Sequence, residues 1–445
     1  MKTGNFSLPL DRSLVDGVLG EGAVDLARIG IRELRSLVDR LSAQSGIEYL
    51  RFEFGIPGLP AERIGPEEEI KVLKENERLP STYPPFDGIP RLKKASAVFA
   101  KKFLNIDVSP ENCVPTVGAM QGGFISQAVA GRRKKESSTI LYIDPGFPVN
   151  KLQTKFLGLN SESIDLYDCR GTKLLKKLEE TLSSRKIGAL LWSNPNNPTW
   201  SCLKDEELKG IGNLLTEYDV IGIEDAAYFG MDFRSDYSVP GEPPFQPTVA
   251  HYTDNYFVII SSSKIFSYAG QRIAVTIISP GLMNRRYANL KHYYDTDILG
   301  YAFIYGGVYA TTAGVPQAPQ HAFAAFMEAA CDRKYNFLKK VRQYGERAHK
   351  AKQVFQSYGF DLLYKDDLGE PIADGFYFTI CRENMTGEEL LYHMLCFGLA
   401  GIPLKPTGTV REGIRICVSL LDEHQYGELE RRVSALDKYL RREFT

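Results

Sequence analysis

The sequence predicts an α/β protein: a large three-layer α/β/α domain with a mainly parallel sheet, and a smaller α+β domain. Two observations predict it. Between residues 139 and 278, short apolar runs alternate with helix-length segments, which is typical of parallel strands covered by helices on both faces. After about residue 320, the sequence changes to long charged helices followed by short strands.

The predicted strands are the apolar runs at residues 139–143, 187–192, 220–223, 256–260 and 273–278. Helices are predicted between them, for example at 172–183 and 204–217. The gap between Ile260 and Ile273 is too short for a helical crossover. We therefore expect those two strands to be antiparallel neighbours.

The flanking segments complete the predicted order of elements. Upstream we expect a helix over residues 24–44, an ordered loop at 51–60, turns at 80–90 and a helix at 91–103. Downstream we expect a long helical segment at 322–358 and strands at 376–381 and 414–419. A final helix is predicted from the apolar stripe of Leu429, Val433, Leu436 and Leu440.

Composition limits the function classes. The 445 residues are 43% hydrophobic and 24% charged with a net charge of -1, which is typical of a globular protein and gives no sign of nucleic-acid or membrane binding. No apolar run reaches the roughly 18 residues that span a bilayer, and the N-terminus lacks a signal-peptide core. The seven scattered cysteines fit reduced thiols better than disulfides or zinc ligands. We expect a cytoplasmic protein.

Lys264 is the most informative residue for function. It lies just past the strand at 256–260, at the edge of the sheet where ligands of α/β proteins bind. Ser261 precedes it and Arg272 follows, so an amine nucleophile is flanked by groups that bind anions. That combination suits pyridoxal 5′-phosphate, whose aldehyde forms a Schiff base with lysine. The alternative is a surface lysine in a loop.

Asp225 and Tyr228 follow another predicted strand. A carboxylate at this position could pair with a protonated pyridine nitrogen and keep the ring an electron sink. Tyr228 lies within reach of the phenolic oxygen of the same ring. The alternative for Asp225 is a helix N-cap.

Two loops at strand ends carry further candidates. In residues 193–199 (S-N-P-N-N-P-T), two prolines stiffen a loop that presents Asn197 as an amide donor, although Asn and Pro also form ordinary turns. Residues 117–123 (V-G-A-M-Q-G-G) precede a predicted helix, whose first N–H groups could bind phosphate. A structural turn is the alternative there.

An aromatic and an arginine complete the set. Phe147 follows a strand and could stack on a flat ring, or pack in the core. Arg415 lies within an apolar strand, where a buried guanidinium needs an anionic partner. A substrate carboxylate held by two hydrogen bonds and an internal ion pair are both open.

The ordered motifs G-A-M, G-F-P, N-P-N-N-P-T, D-A-A-Y, S-S-S-K and the later Arg415 resemble class I/II aminotransferases of pyridoxal-phosphate fold type I. The resemblance runs from about Tyr83 to Arg415. It implies an N-terminal arm with part of the small domain at residues 1–75, a large cofactor-binding domain at 76–325 and a small domain at 326–445. It also implies a homodimer with shared active sites.

The resemblance implies roles for the candidate residues. Lys264 would form the Schiff base and move protons, Asp225 would pair with the pyridine nitrogen, and Tyr228 and Asn197 would bind the phenolic oxygen. Phe147 resembles the stacking ring, and Tyr83 resembles a tyrosine that reaches the phosphate of the neighbouring subunit. The remaining cofactor residues would be Gly118, Ala119, Met120, Ser261, Ser263 and Arg272. Gly55, Asn197 and Arg415 would bind the substrate.

Some positions depart from the family pattern. Trp200 stands where a glycine usually follows N-P-T, Ala274 replaces a glycine, and Gln271 replaces a frequent Trp or Asn. These departures affect the substrate pocket and remove no catalytic group.

The segment from His292 to Tyr309 bears on the substrate. Dicarboxylate-specific relatives place a second arginine in roughly this segment, and none lies between Arg286 and Arg333 here, which argues against aspartate as the preferred donor. Its aromatic residues could line a substrate pocket or pack in a dimer interface. They are Tyr293, Tyr294, Tyr301, Phe303, Tyr305 and Tyr309.

The resulting expectation is an aminotransferase that moves an amino group between an amino acid and a 2-oxo acid. The first alternative is another reaction at Cα on the same fold, such as β-elimination or decarboxylation. A non-catalytic regulatory module that binds the cofactor is a second, although no basic N-terminal DNA-binding module is present. A lysine-dependent aldolase would need a (β/α)₈ barrel.

Overall fold

The computed structural model describes residues 8–22 and 24–443. The expectation that the N-terminus lacks a signal peptide concerns residues 1–7 in large part, and these residues lie outside the described range. Within the described residues, no helix has the length and apolar character needed to cross a membrane.

The helices are numbered in chain order. The α-helices are α1 Arg12–Glu21, α2 Ile31–Ser45, α3 Ile64–Glu75, α4 Pro90–Leu104, α5 Gly118–Arg132, α6 Pro148–Phe156, α7 Thr172–Leu182, α8 Asp205–Glu217, α9 Pro280–Met283, α10 Lys291–Tyr294, α11 Leu299–Tyr301, α12 Ala310–Thr312, α13 Gln317–Cys331, α14 Phe337–Val341, α15 Gln343–Ser357, α16 Gly387–Cys396 and α17 Tyr426–Glu443. A π-helix spans Ala302–Tyr309.

The strands are numbered in the same way. They are β1 Leu50–Arg51, β2 Cys113–Val117, β3 Thr139–Asp144, β4 Asn160–Asp165, β5 Ile187–Ser193, β6 Ile221–Ala226, β7 Tyr256–Ser261, β8 Ile273–Ile278, β9 Asp361–Leu362, β10 Asp366–Asp367, β11 Glu370–Pro371, β12 Tyr377–Cys381, β13 Leu399–Ala400, β14 Ile402–Pro403 and β15 Ile414–Cys417.

The main sheet has seven strands in the order β2-β8-β7-β6-β5-β3-β4. The pairs from β7 across to β4 are parallel, whereas β8 is antiparallel to both β7 and β2. The predicted parallel sheet and the predicted antiparallel pair on either side of Lys264 are therefore confirmed. The sheet is open, so the barrel that an aldolase would need is excluded.

Three sequence predictions of elements were wrong in detail. The helix predicted at 24–44 begins at Ile31, because Gly30 is its N-cap and Glu33 accepts a hydrogen bond from the Gly30 N–H. The segment 322–358 holds three helices, since Asn336 caps α14 by accepting from the backbone N–H groups of Leu338 and Lys339. In the main sheet β2 and β4 were missed, and the two-residue strands β1, β9, β10, β11, β13 and β14 were not predicted either.

Two clusters of buried apolar side chains form the cores. One combines the seven-stranded sheet with helices that include α4, α5, α7, α8 and α13. The other combines α1, α2 and α15 to α17 with β12 to β15. β1 pairs in parallel with β13, so residues near Leu50 join the second core. The domain limits at residues 75 and 325 stay a prediction.

A buried carboxylate ties the loop after β5 to the C-terminal region. Asp367, in the β10–β11 hairpin, is fully buried and accepts hydrogen bonds from Arg170 (2.7 Å), Arg234 (3.0 Å) and the Cys202 backbone N–H (3.2 Å). Since Cys202 lies in the loop that carries Asn197, this network fixes one wall of the pocket described below.

We expect Asp367→Asn to lower the free energy of unfolding by about 2 kcal/mol, because it removes one of the two buried carboxylates that pair with Arg170 and leaves only Glu207. The measurement is urea unfolding of the cofactor-free protein. The control is Asp366→Asn, an exposed neighbour whose carboxylate accepts from the Gly369 N–H, which should change stability by less than about 0.5 kcal/mol. Equal effects of the two changes would contradict the assigned role of the buried network.

Candidate active site

The candidate residues meet because their strands end at one edge of the sheet. Phe147, Asn197 and Lys264 follow the carboxyl ends of the parallel strands β3, β5 and β7, and Asp225 lies at the end of β6. Ligands of open α/β sheets bind at this edge. The sequence expectation of a site here therefore has a structural basis.

Lys264 is partly buried between aromatic rings. Its Nζ atom donates a hydrogen bond to the Gly55 carbonyl and lies 5.1 Å from the ring centre of Phe376 and 5.9 Å from that of Tyr228. Burial lowers the pKa of the amine to about 8, and the positive charge of Arg415 adds to this effect. About a tenth of Lys264 is therefore uncharged and nucleophilic at pH 7, a far larger fraction than for an exposed lysine.

Asp225 lies at the end of β6 and does not cap a helix. Its Oδ1 atom accepts a hydrogen bond from the Ala227 N–H (3.1 Å), and residues 227–230 form a turn, so the N-cap alternative is wrong. Burial raises the pKa of the Asp225 carboxyl to about 6, against the opposing effects of the Ala227 N–H and of Lys264. A cation placed beside it would relieve this desolvation.

Arg415 is held by neutral groups. Its Nη1 donates to Asn197 Oδ1 (3.3 Å) and its Nη2 to the Glu53 carbonyl (2.6 Å), while its buried Nε has no hydrogen-bond partner among the described residues. No carboxylate in the described part of the chain lies within salt-bridge distance of it, so the internal ion pair is not observed. Because Asn197 Oδ1 is already occupied, its Nδ2 group remains to donate to a ligand.

Glu53, whose backbone carbonyl accepts from Arg415, also has a buried carboxyl group. Its Oε1 accepts a hydrogen bond from Arg51 Nε (2.5 Å), and its Oε2 has no partner among the described residues. Burial raises the pKa of this carboxyl, although Arg51 opposes the rise. The sequence analysis did not select Glu53, because a single acid in an irregular loop gives no pattern.

Groups that favour negative charge lie at the start of α5. Gly118 has a φ of +67° and opens this 15-residue helix, and a Cβ atom there would overlap the guanidinium of Arg272. Ala119 and Met120 lie in its first turn, where backbone N–H groups are unpaired within a helix. Arg272 therefore lies beside a helix N-terminus that favours negative charge.

Of the other predicted residues, all but one lie near the site. Ser261 and Ser263 lie beside Lys264, with the Ser263 N–H donating to Ser261 Oγ (3.1 Å), and Gly55 lies against the Tyr377 hydroxyl. Phe147 directly precedes α6 and is partly buried. Tyr83 is the exception, since its side chain is 84% exposed on the surface of the chain and does not join the buried cluster.

Tyr377 and Trp200 complete the pocket wall. The hydroxyl of Tyr377 lies 2.7 Å from that of Tyr228, and the ring of Trp200 packs edge-on against Tyr228 at 5.2 Å. The sequence analysis noted Trp200 only as a departure from a family pattern and did not select Tyr377. The signal that could have found Tyr377 is its position at the start of a strand after Gly375, beside the strand that carries Arg415.

An open α/β sheet with a desolvated lysine, a partly buried carboxylate and a helix N-terminus at one edge would suit a phosphorylated aldehyde as a ligand. A family sequence model described as aminotransferase class I and II matches residues 66–432. The chain belongs to that family, which implies pyridoxal 5′-phosphate as the cofactor.

The individual relatives are distant. The chain is 24% identical to an aspartate aminotransferase of Pyrococcus horikoshii over 62% of this chain and 66% of that protein. It is 26% identical to a probable aspartate aminotransferase of Methanocaldococcus jannaschii over 45% of this chain and 50% of that protein. These alignments thus span between half and two thirds of the relatives' lengths.

Solved structures match a larger share of the chain than the sequence relatives do. An aminotransferase from Mycobacterium tuberculosis superposes with a TM-score of 0.74, at 18% identity, over 92% of this chain and 96% of that one. This likeness confirms the predicted fold type.

The lowered pKa of Lys264 predicts a distinct pH dependence. In cofactor-free protein, we expect the reductive methylation rate of Lys264 by formaldehyde to rise between pH 7 and 9, with half its maximum near pH 8, because only the neutral amine reacts. Peptide mass spectrometry after short pulses measures the rate. Lys334, whose pKa is raised by its hydrogen bond to Asp332, is the internal control. A Lys264 midpoint near the ordinary lysine value of about 10.4 would contradict the desolvation argument.

Proposed function

We propose that this protein is a pyridoxal 5′-phosphate-dependent aminotransferase that moves an amino group between an amino acid and a 2-oxo acid. The observation that carries the proposal is the Lys264 amine, with a pKa of about 8, at the sheet edge shared with Asp225. The family match supports the class of reaction.

The residues at the sheet edge fit the proposed cofactor. The α5 N-terminus and the guanidinium against Gly118 provide a place for a phosphate. Asp225 provides an acceptor whose desolvation a pyridinium N–H would relieve. Tyr228 and the amide Nδ2 of Asn197 are the donors proposed for the phenolic oxygen, and Phe147 is the proposed stacking ring.

Bound there, pyridoxal phosphate would supply an aldehyde that condenses with amines and a protonated ring that accepts electron density from a substrate carbon. The chain's own groups would do the rest. Arg415 binds the substrate carboxylate with N–H groups that have no anionic partner among the described residues. Lys264 Nζ, uncharged in part at neutral pH, removes the proton from the substrate Cα.

Other groups around Lys264 have supporting parts in this proposal. Asp225 would keep a positive charge on a ring nitrogen placed beside it, since its desolvated carboxylate is more stable beside a cation. The rings of Phe376 and Tyr228 exclude water from the side of Lys264 that they cover. The loop passes so close to Tyr377 that position 55 needs a glycine, because a Cβ atom there would lie 2.6 Å from Tyr377 Oη.

For the donor, we propose an amino acid other than aspartate, although several relatives are named aspartate aminotransferases. The support is the absence of any arginine between Arg286 and Arg333. A second carboxylate on the substrate would then have no guanidinium from this segment to bind.

We also propose a homodimer. Tyr301, Tyr305 and Tyr309 are between 37% and 48% exposed on one helical segment, and Phe86 packs against the last two at 5.7 and 4.7 Å. An exposed aromatic cluster of this kind is typical of a protein interface. Tyr83 lies three residues before Phe86, so a dimer formed through this surface brings Tyr83 toward the partner.

A cytoplasmic location completes the proposal. All seven cysteines are free thiols in the structure. Free thiols fit a reducing compartment.

Lys264→Ala tests the assignment of the nucleophile. After incubation with pyridoxal phosphate and dialysis, the parent protein should show a visible absorbance band that the variant lacks, and turnover should fall by at least about 10³-fold. Lys350→Ala, which removes an exposed lysine paired with Glu423, is the control and should behave as the parent. A normal band in the Lys264 variant would rule out its proposed role.

A screen of amino donors and 2-oxo acid acceptors separates the possible reactions at Cα. Transamination releases the 2-oxo acid of the donor and aminates the acceptor, whereas β-elimination releases ammonia and pyruvate, and decarboxylation releases CO₂. We expect aspartate to be used at least tenfold less efficiently than the best donor, because an unpaired carboxylate is costly to bury. Aspartate as the preferred donor would contradict the substrate proposal alone.

The aromatic surface predicts the effect of charge on assembly. We expect Tyr301→Asp/Tyr305→Asp to convert a dimer to a monomer in light scattering, because two buried carboxylates would be unpaired in the interface. Val410→Asp, at a position that is 86% exposed, is the control and should leave the dimer intact. A dimer that persists in the double variant would place the interface elsewhere.

A further inference from the structure

Tyr377 contacts three parts of the candidate site at once. It is 1% exposed, and its hydroxyl lies 2.7 Å from the Tyr228 hydroxyl. Its ring centre lies 4.6 Å from the guanidinium carbon of Arg415, and its hydroxyl lies against the Cα of Gly55. A single side chain therefore connects the proposed phenolic-oxygen donor to the proposed carboxylate-binding group.

The direction of the hydroxyl–hydroxyl hydrogen bond follows from charge. Each phenol has one proton to donate. Burial raises the pKa of both phenols, and at Tyr377 the Arg415 guanidinium over the ring is the main opposing influence. Either hydroxyl could be the donor, and we assign that role to Tyr377, with Tyr228 as the acceptor, because the Arg415 guanidinium lies over the Tyr377 ring at 4.6 Å while the cation over the Tyr228 ring, Lys264, is more distant at 5.9 Å. The proton of Tyr228 is then available to a ligand.

The surrounding structure fixes the position of the Tyr377 ring. Trp200 packs edge-on against Tyr377 at 5.9 Å as well as against Tyr228. Gly375, two residues before Tyr377, lies directly against the indole of Trp200, and any Cβ atom there would overlap it. A fully buried tryptophan therefore packs against both phenols and restricts the movement of their rings.

We propose that Tyr377 is a positioning residue that couples the two ends of the site, an inference that rests on the proposed function. Its hydroxyl donates to Tyr228 and so strengthens the hydrogen bond that Tyr228 donates to the phenolic oxygen of the cofactor. Its ring holds the Arg415 guanidinium in place for the carboxylate of the amino acid. The hydroxyl and the ring thus have separable effects.

Tyr377→Phe removes the hydroxyl and keeps the ring. We expect the pH midpoint of the visible band of the loaded protein to rise by about half a pH unit, because the anionic phenolic oxygen is less well stabilised. The dissociation constant for pyridoxal phosphate, followed by tryptophan fluorescence of the cofactor-free protein, should rise about threefold. Binding of 2-methylalanine, an amino acid without a Cα proton, should change by less than about twofold.

Tyr377→Leu removes both groups and tests the ring. It should shift the band midpoint as Tyr377→Phe does and should also weaken 2-methylalanine binding about tenfold, through the loss of the ring under Arg415. The control is Tyr364→Phe, which removes a buried hydroxyl bonded to Asp165 (3.0 Å) outside the site and should change neither quantity.

Coupling to Tyr228 separates positioning from a general structural effect. Tyr228→Phe should raise the band midpoint by itself, and adding Tyr377→Phe should raise it no further, because the second hydroxyl acts through the first. An unchanged midpoint in Tyr377→Phe, or additive shifts in the double variant, would overturn the inference. A parent protein without a Lys264-dependent band would instead contradict the proposed function.

Discussion

Two groups of opposite charge, Lys264 and Asp225, are partly buried near one another without a direct ion pair, and the rest of the site depends on this constraint. In the described part of the chain, neither Lys264 nor Asp225 forms a salt bridge. Burial is the main cause that moves the pKa of the amine down to about 8 and that of the carboxyl up to about 6. The charged forms of both groups are therefore less stable than in water until a ligand of suitable charge lies between them. Such shifted pKa values are more typical of functional sites than of protein cores.

Much of the fold could be predicted because its central strands are apolar and bounded by loops. β8 was predicted to the residue, and α7 and α8 to within one residue at each end. β4 was missed because it is an edge strand with four exposed polar residues, which carries no apolar run. β2 was missed because Pro115 interrupts it, and a proline normally argues against a strand.

The residues of the candidate site also divide into those that could be predicted from the sequence and those that could not. Lys264, Asp225 and Asn197 could be predicted because each is a polar residue at or shortly after the end of a buried strand, and parallel strands bring such residues to one edge. Tyr377 and Glu53 could not, since they reach the pocket through β12 and the loop after β1 rather than through the main sheet. A tyrosine in an apolar strand looks like core, and only the pairing of β12 with β15 places it beside Arg415.

Trp200 shows how a departure from the family pattern is accommodated. Its φ of +66° is the left-handed conformation in which a glycine costs nothing and an L side chain costs about 1–2 kcal/mol. Burying the indole against Tyr228 and Tyr377 outweighs that cost, since removing a buried tryptophan side chain typically costs about 3–5 kcal/mol. The same contact requires a glycine at position 375. The substitution therefore changes the wall behind the two phenols and leaves Lys264, Asp225 and Arg415 in place.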